Sequence, residues 1–384
     1  MDWIKWMMGF IGHIGLWCVL FNRIHATAWP RPTRKFSEKA IVIAVLFPFF
    51  WIFAALILQR DISFDVAFLE SLTRFYFYAC VLLGIFFALQ WLWRRIGTPY
   101  PDAVVEKNIE WLNLDSELDQ PLLHGKFAIA LGNLPFNEAL KLTRQRMTLA
   151  LDVPKELDGL KICQLSDLHF TGQVDLAYFQ RVVEEANHFQ PDLTIITGDI
   201  VDEPECLDWI NESLGNLQAR LGVYYVLGNH DRRIKDERML RKRIHDAGLI
   251  QASGTWHQTE FQGATIRITG NELPWYRDAD ELESTDDGED PDLKILLSHS
   301  PDQLKWALDR DFDLMFAGHT HGGQIALPFF GPLVAPSKYG VLYAGGTYQI
   351  GKILMHVSRG ISGDETVRFC SPPELGLFTI RQKT

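Results

Sequence analysis

The sequence predicts an α/β chain in two parts: a helical membrane anchor, then a soluble domain of two packed sheets with helices outside, a four-layer α-β-β-α sandwich. Three observations predict it. The first hundred residues hold most of the tryptophans and the long uncharged runs. From residue 160 onward, short apolar runs alternate with stretches of helix-like spacing. The last third of the chain is rich in strand patterns broken by Gly and Pro. Length agrees, since 384 residues exceed one ordinary compact unit and suffice to bury a full core.

In the anchor, residues 40–58 carry no charge and are long enough to cross a hydrocarbon core of roughly 30 Å as a helix. Residues 75–93 are similar and end in Trp91, Trp93 and Arg94-Arg95, which suit an interfacial belt and a charged stop. The run at 7–21 is shorter and contains His13, read as a polar residue facing another helix. It is a third span, an interfacial helix or a signal sequence. Ala26-Thr27-Ala28 resembles a small-residue cleavage site, but Arg23 and His25 precede it and Lys5 is offset by Asp2.

Arg23, Arg31, Arg34, Lys35 and Lys39 lie between the first two runs, whereas the next loop mixes Arg60 and Arg74 with Asp61, Asp65 and Glu70. Basic loops stay cytoplasmic, which predicts a multi-pass inner-membrane protein with its soluble domain in the cytoplasm. The expected division is an anchor of two to three helices over 1–98, a connector over 99–145 and a catalytic domain over 146–384. Within the connector, 109–114 and 128–131 are candidate short elements.

Strands are expected at 160–165, 193–197, 223–227, 295–297 and 314–317, with helices at 176–189, 207–217, 235–247 and 303–308. Further strands are expected at 265–269, 341–344, 353–357 and 377–380.

The net charge of −11 argues against general nucleic-acid binding. Much of the acidity is crowded into Asp278, Asp280, Glu281, Glu283, Asp286, Asp287, Glu289, Asp290 and Asp292, a pattern expected of a solvated loop. Cys18, Cys80, Cys163, Cys206 and Cys370 show no CxxC spacing and imply no disulfide framework.

Five short runs carry the chemistry: Asp167-Leu168-His169, Gly198-Asp199-Ile200-Val201-Asp202, Gly228-Asn229-His230-Asp231, Ser298-His299-Ser300 and Gly318-His319-Thr320-His321. Each follows an apolar run, so hard oxygen ligands and imidazoles recur at successive strand ends. That order describes a two-metal hydrolytic site, and the absence of Cys disfavours a structural zinc site.

The arrangement closely resembles the calcineurin-like metallophosphoesterase superfamily from about residue 151 onward. Its membrane-tethered bacterial branch opens with LSDLHF and closes with GHTHGGQ, here residues 165–170 and 318–324. The resemblance implies that Asp167, His169 and His321 hold one metal, that Asn229, His299 and His319 hold a second, and that Asp199 bridges them. It implies two divalent ions, manganese first, with zinc or iron as alternatives, and attack by a metal-bridging hydroxide.

His230 matches the histidine that meets the phosphate or protonates the leaving oxygen. Asp231 and Asp202 are expected to orient it and the neighbouring ligands. Arg232 and Arg233, nearest the metals in a basic run extending to Arg243, are candidate phosphate contacts. Gln324 either touches substrate or braces its loop. The rest of the basic run is a solvated helix or a contact with anionic head groups.

Relatives of this kind include pyrophosphohydrolases of UDP-2,3-diacylglucosamine, so the expected substrate is a phosphoester or pyrophosphate, lipid-linked or nucleotide-linked, with membrane lipids as partners. A membrane-bound sensor or scaffold for a phospho-ligand on the same fold is the competing reading, and turnover separates the two.

Overall fold

The computed structural model describes residues 2–58, 66–97, 100–118, 120–276 and 290–383. The chain divides into two compact units, Met1–Pro99 and Tyr100–Thr384.

The first unit contains α1 (Asp2–His25), α2 (Arg31–Leu58) and α3 (Val66–Gly97). Trp3–His25 and Thr73–Trp93 are long and apolar enough to cross a membrane. The expected span at 40–58 is helical within α2, and its side chains from residue 49 lie outside the described residues, as does the loop at 59–65. Small residues let α1 and α3 meet backbone to backbone. A Cβ on Gly12 would lie 1.8 Å from the Cys80 carbonyl oxygen, and one on Gly84 2.0 Å from that of Met8. His13 does face its neighbours: Nδ1 lies 2.6 Å from the Tyr76 hydroxyl, and Nε2 lies 3.1 Å from the Val45 carbonyl oxygen.

In the second unit the strands are β1 (Val104–Asn113), β2 (Lys141–Leu151), β3 (Lys161–Leu165), β4 (Leu193–Thr197), β5 (Val223–Val226), β6 (Ile250–Gln251), β7 (His257–Phe261) and β8 (Ala264–Asn271). They continue with β9 (Leu293–Ser298), β10 (Leu314–Ala317), β11 (Ala326–Leu327), β12 (Gly331–Pro332), β13 (Gly346–Ile350), β14 (Ile353–Val357) and β15 (Glu374–Gln382). The helices are α4 (Leu114–Glu117), α5 (Lys126–Gly132), α6 (Leu176–His188), α7 (Trp209–Glu212), α8 (Glu237–Asp246) and α9 (Leu304–Leu308).

One sheet runs β1-β2-β15-β3-β4-β5-β6 and the other β13-β14-β10-β9-β8-β7, with β11-β12 a separate hairpin. Alternation along the strands fills three apolar layers. Ile162, Ile195 and Val226 of the first sheet pack between the sheets with Ile268, Ile295 and Phe316 of the second. Cys163, Ile196 and Tyr225 face outward onto Phe179 and Val182 of α6 and Leu240 and Ile244 of α8. On the far side Leu296, Met315 and Met355 meet Leu304 and Ala307 of α9. The result is the expected four-layer α-β-β-α sandwich.

Three sequence expectations are corrected. Residues 99–145 are not merely a connector: β1 pairs with β2 from Val104↔Leu149 to Asn113↔Lys141, so the sheet of the second unit begins there. The helix expected at 207–217 shrinks to α7 between 3-10 turns, because the Ser213 hydroxyl bonds back to the Trp209 carbonyl at 2.6 Å and competes with helix continuation. The strand expected at 341–344 is a 3-10 turn, Gly340–Tyr343, entered through Gly340 at φ +58°.

The described cysteines are free, with Cys370 exposed and Cys163 and Cys206 buried. Most of the acidic run, residues 278–289, lies outside the described residues. At its edge Asp290 pairs with Lys294 at 3.1 Å.

Candidate metal centre

Parallel pairing sends β3, β4 and β5 of one sheet, and β9 and β10 of the other, out toward the same edge, where each continues into one of the five motif runs. The turns are tight. Asp167, His169, Asp199, His319 and His321 all have φ between +49° and +72°, a conformation that non-glycine residues rarely adopt. Backbone bonds between runs hold them there: Asp167 N–H donates to Gly198 O at 2.9 Å, and His169 N–H donates to Asp199 O at 2.9 Å.

Two glycines are required by close approach. A Cβ on Gly228 would lie 2.2 Å from Asp199 Oδ1, and one on Gly318 would lie 2.4 Å from Asp167 Oδ2.

Of three groups of side chains that converge among the described residues with their ligand atoms within 4.8 Å, one is His169, Asp202 and His230, and the other two are, first, Asp167, His169, Asp199 and His321 and, second, Asp199, His299 and His319. Asp199 belongs to both. In the first group His169 Nε2 lies 3.2 Å from His321 Nε2, and His321 Nε2 lies 3.4 Å from Asp167 Oδ1. In the second, His299 Nε2 lies 3.3 Å from Asp199 Oδ2 and 3.1 Å from Asn229 Oδ1, which adds Asn229 to the set. All seven residues expected as ligands are therefore brought to one edge.

The donor chemistry fits cations. His169 Nδ1 donates to Asp202 Oδ2 at 2.8 Å and His299 Nδ1 donates to the Thr197 carbonyl at 2.8 Å, so each imidazole turns an Nε2 lone pair inward. Lone pairs then face carboxylate and amide oxygens, an arrangement that calls for positive charge between them.

The titration behaviour agrees. Burial opposes a charged imidazole, yet Asp202, Asp199 and Asp167 push His169 up to about 9, and Asp199 and Asp167 push His299 up to about 9. Against the opposing pull of burial, His299 and His230 hold the Asp199 carboxyl well below its ordinary range. Burial, the His169 charge and the Arg368 guanidinium keep His321 well below the imidazole range and therefore neutral.

Around this edge the other candidates separate. His230 lies beside the ligands: its N–H donates to Asp199 Oδ1 at 2.7 Å, and its Nδ1 lies 2.5 Å from Asp202 Oδ1. Asp202 is the hub, since it also takes His169 and, at 2.6 Å, Arg233. Asp231 does not touch the His230 ring. Its buried carboxylate accepts the backbone N–H groups of Asp199, Ile200, Val201 and Gly228, so of the two roles expected of it, orienting His230 and orienting the neighbouring ligands, these bonds serve the second by holding two ligand loops together.

Arg233 makes a two-pronged bond to Asp364 at 2.8 and 2.9 Å besides its pairing with Asp202, so it is committed to carboxylates rather than open to phosphate. Arg232 is exposed. Gln324 donates Nε2 to the carbonyls of Glu365 and Val367, which favours loop bracing over substrate contact. Three further cations of the basic run are likewise paired, Arg241 on Glu272, Lys242 on Asp246 and Arg243 on Asp208.

Sequence reasoning missed two neighbours. The Trp275 ring packs 5.2 Å from His299 and 4.7 Å from His319, centroid to centroid. The buried Arg368 places Nη2 3.2 Å from His321 Nδ1 and donates to the carbonyls of Arg359, Ser362 and Ser371. Neither adjoins a motif in sequence, so no local pattern marks them.

A four-layer α/β sandwich with two adjoining ligand groups that share one carboxylate has the layout of the two-metal hydrolase class. Residues 160–323 match the family described as calcineurin-like phosphoesterase. An uncharacterized metallophosphoesterase of Bacillus subtilis, YkuE, is 32% identical over 60% of this chain and 82% of its own length. The UDP-2,3-diacylglucosamine pyrophosphatase LpxG of Chlamydia trachomatis is 27% identical over 62% of this chain and 88% of its own length. A transmembrane protein with metallophosphoesterase domain from Danio rerio is 30% identical over 50% of this chain and 49% of its own length. The chain belongs to the calcineurin-like metallophosphoesterase family and is a hydrolase.

Proposed function

We propose that this chain is a membrane-anchored, two-metal hydrolase of phosphoester or pyrophosphate bonds, acting on a lipid-linked or nucleotide-linked substrate at the cytoplasmic face of the inner membrane. The observation that carries the reading is Asp199 shared between two converging ligand groups. Asp167, His169 and His321 would hold one ion and Asn229, His299 and His319 the other, with Asp199 between. Manganese is the first candidate, then zinc or iron. When bound, such a pair supplies charge to phosphoryl oxygens and acidifies a water.

The chain's own residues do the rest. Asp202 and the Thr197 carbonyl fix the tautomers of His169 and His299, so that Nε2 presents a lone pair. His230, held by Asp202, is positioned to carry a proton to the leaving oxygen. Asp231 keeps the loops after β4 and β5 in register. A lipid-linked pyrophosphate is supported by the similarity to LpxG together with the apolar helices of the first unit.

The test uses the full chain in detergent, loaded with manganese. It is expected to hydrolyse bis-p-nitrophenyl phosphate, and Asp199→Asn is expected to cut turnover by about a hundredfold or more while lowering bound metal measured by mass spectrometry. No turnover with two metal equivalents bound would instead favour a phospho-ligand sensor.

A further inference from the structure

The hairpin that follows the last ligand run has an apolar tip with no role in the site. Ile325, Leu327, Phe329, Phe330 and Leu333 are all exposed, Phe329 at 83%. Leu327 pairs with Gly331, so Pro328, Phe329 and Phe330 form the turn. Phe329 sits there at φ +67°, a conformation that is costly for a bulky side chain. A strained aromatic left in water contributes nothing to the packing of its own unit, which points to a surface outside the unit.

A second apolar group lies nearby. Phe127 and Ile129 of α5, with Leu134 and Phe136 in the turn beyond it, are exposed, Phe136 at 88%. Residues 366–369 separate the two groups and bond to both. On one side the Thr366 hydroxyl donates to the Ala128 carbonyl, and Arg368 N–H donates to Asn137 Oδ1. On the other, Ala326 N–H donates to the Phe369 carbonyl. The same stretch reaches the metal centre through Arg368 and His321.

Charge identifies the occupant. In a chain of net charge −11, residues 324–363 contain no Asp or Glu, and neither do residues 120–137, where the exposed Lys126 adds a positive charge. The two apolar tips therefore carry no acid of their own, the exposed Glu365 lying in the segment between them, and acid-free apolar tips suit the interface of an anionic phospholipid bilayer. A bilayer is at hand if the apolar helices of the first unit span one, the reading on which this inference rests.

We propose that the 325–333 hairpin and the α5 turn together dock the catalytic unit onto the phospholipid bilayer, inserting Phe329 and Phe136 at the interface beside the metal centre. The experiment places the photo-crosslinker benzoylphenylalanine singly at Phe329, Phe136, Phe86 of α3 and the exposed Lys242 of α8. Each full-length chain is assembled in nanodiscs of phosphatidylethanolamine and phosphatidylglycerol, and lipid adducts are counted by mass spectrometry.

Lipid adducts at 329 and 136 about tenfold or more above those at 242 are expected for interfacial insertion. Adducts at 86 with none above the 242 level at 329 and 136 overturn the docking surface alone. No adducts even at 86 overturn the membrane reading and this proposal with it. Chain-to-chain adducts at 329 in place of lipid adducts show that a second copy covers the hairpin, and also overturn it.

Discussion

At the scale of the residue, the metal centre is a set of lone pairs aimed at one another and held by hydrogen bonds on their far sides. Protons occupy it when metal does not. His169 and His299 are both pushed up to about 9, so at neutral pH cation binding must displace protons from them. Manganese affinity is therefore expected to rise with pH until about 9, with proton release measurable by calorimetry in buffers of different ionisation enthalpy. A pH-independent affinity between 7 and 9 would contradict the raised values of His169 and His299. The sign for the metal-free fold is opposite: a raised imidazole stabilises it fully below the ordinary value of 6.5, and that contribution is lost as pH rises through about 9. The five motif runs were legible in sequence because each follows its strand by a few residues, and the family resemblance named the seven candidate ligands within them, whereas the commitment of Arg233 to Asp364 spans 131 residues and was not legible.

At the scale of the element, β15 decides how the sheets are joined. It inserts between β2 and β3, parallel to one and antiparallel to the other, and begins with the buried Glu374. That carboxylate accepts from His356 Nε2 of β14 at 2.8 Å and from Arg359 Nε at 2.8 Å, so it ties the first sheet to the second. Burial would raise its pKa, but Arg359 and His356 bring it down to about 2. Its stabilising contribution is complete above the ordinary value of 4.5 and is lost as pH falls through about 2. Glu374→Gln is expected to destabilise the fold at neutral pH by about 1–3 kcal/mol, since it removes the charge that the partly buried Arg359 guanidinium pairs with. Thermal unfolding should register this as a lower Tm and a flatter acid limb than the parent shows. Strand patterning located the run at 377–380 but not its place in the sheet, because apolar alternation specifies a face and not a neighbour.

At the scale of the whole molecule, two units divide at Pro99 and Tyr100, and the sheet of the second starts almost at once with β1. The boundary matters for any excised catalytic fragment. A fragment beginning at residue 146 would lose β1 and the first half of β2, exposing Glu374, Leu375 and Gly376 of β15, which pair with Thr143, Arg144 and Gln145, and baring the edge of β2 that β1 covers. It is expected to aggregate, whereas one beginning at residue 100 keeps the sheet intact. Size-exclusion chromatography of the two fragments checks this, and equal monodispersity would show that β1 and β2 are dispensable. Composition marked where the anchor ends but mistook the following stretch, since Val105, Ile109 and Trp111 are exposed on β1 and give that strand no buried alternation to read.

By itself the sequence determined the ligand types, their order and the layered α/β plan. Those follow from local chemistry: apolar runs make buried strands, and parallel strands present their C-terminal ends together. Tertiary structure alone decided which candidates converge at the sheet edge and which are occupied elsewhere. Asp231 gives its carboxylate to four backbone N–H groups, Gln324 braces residues 365 and 367, and Arg368 arrives beside His321 from 47 residues away. Such partnerships are set by packing between distant segments, where the cost of a buried unpaired polar group, and not spacing along the chain, selects the partner.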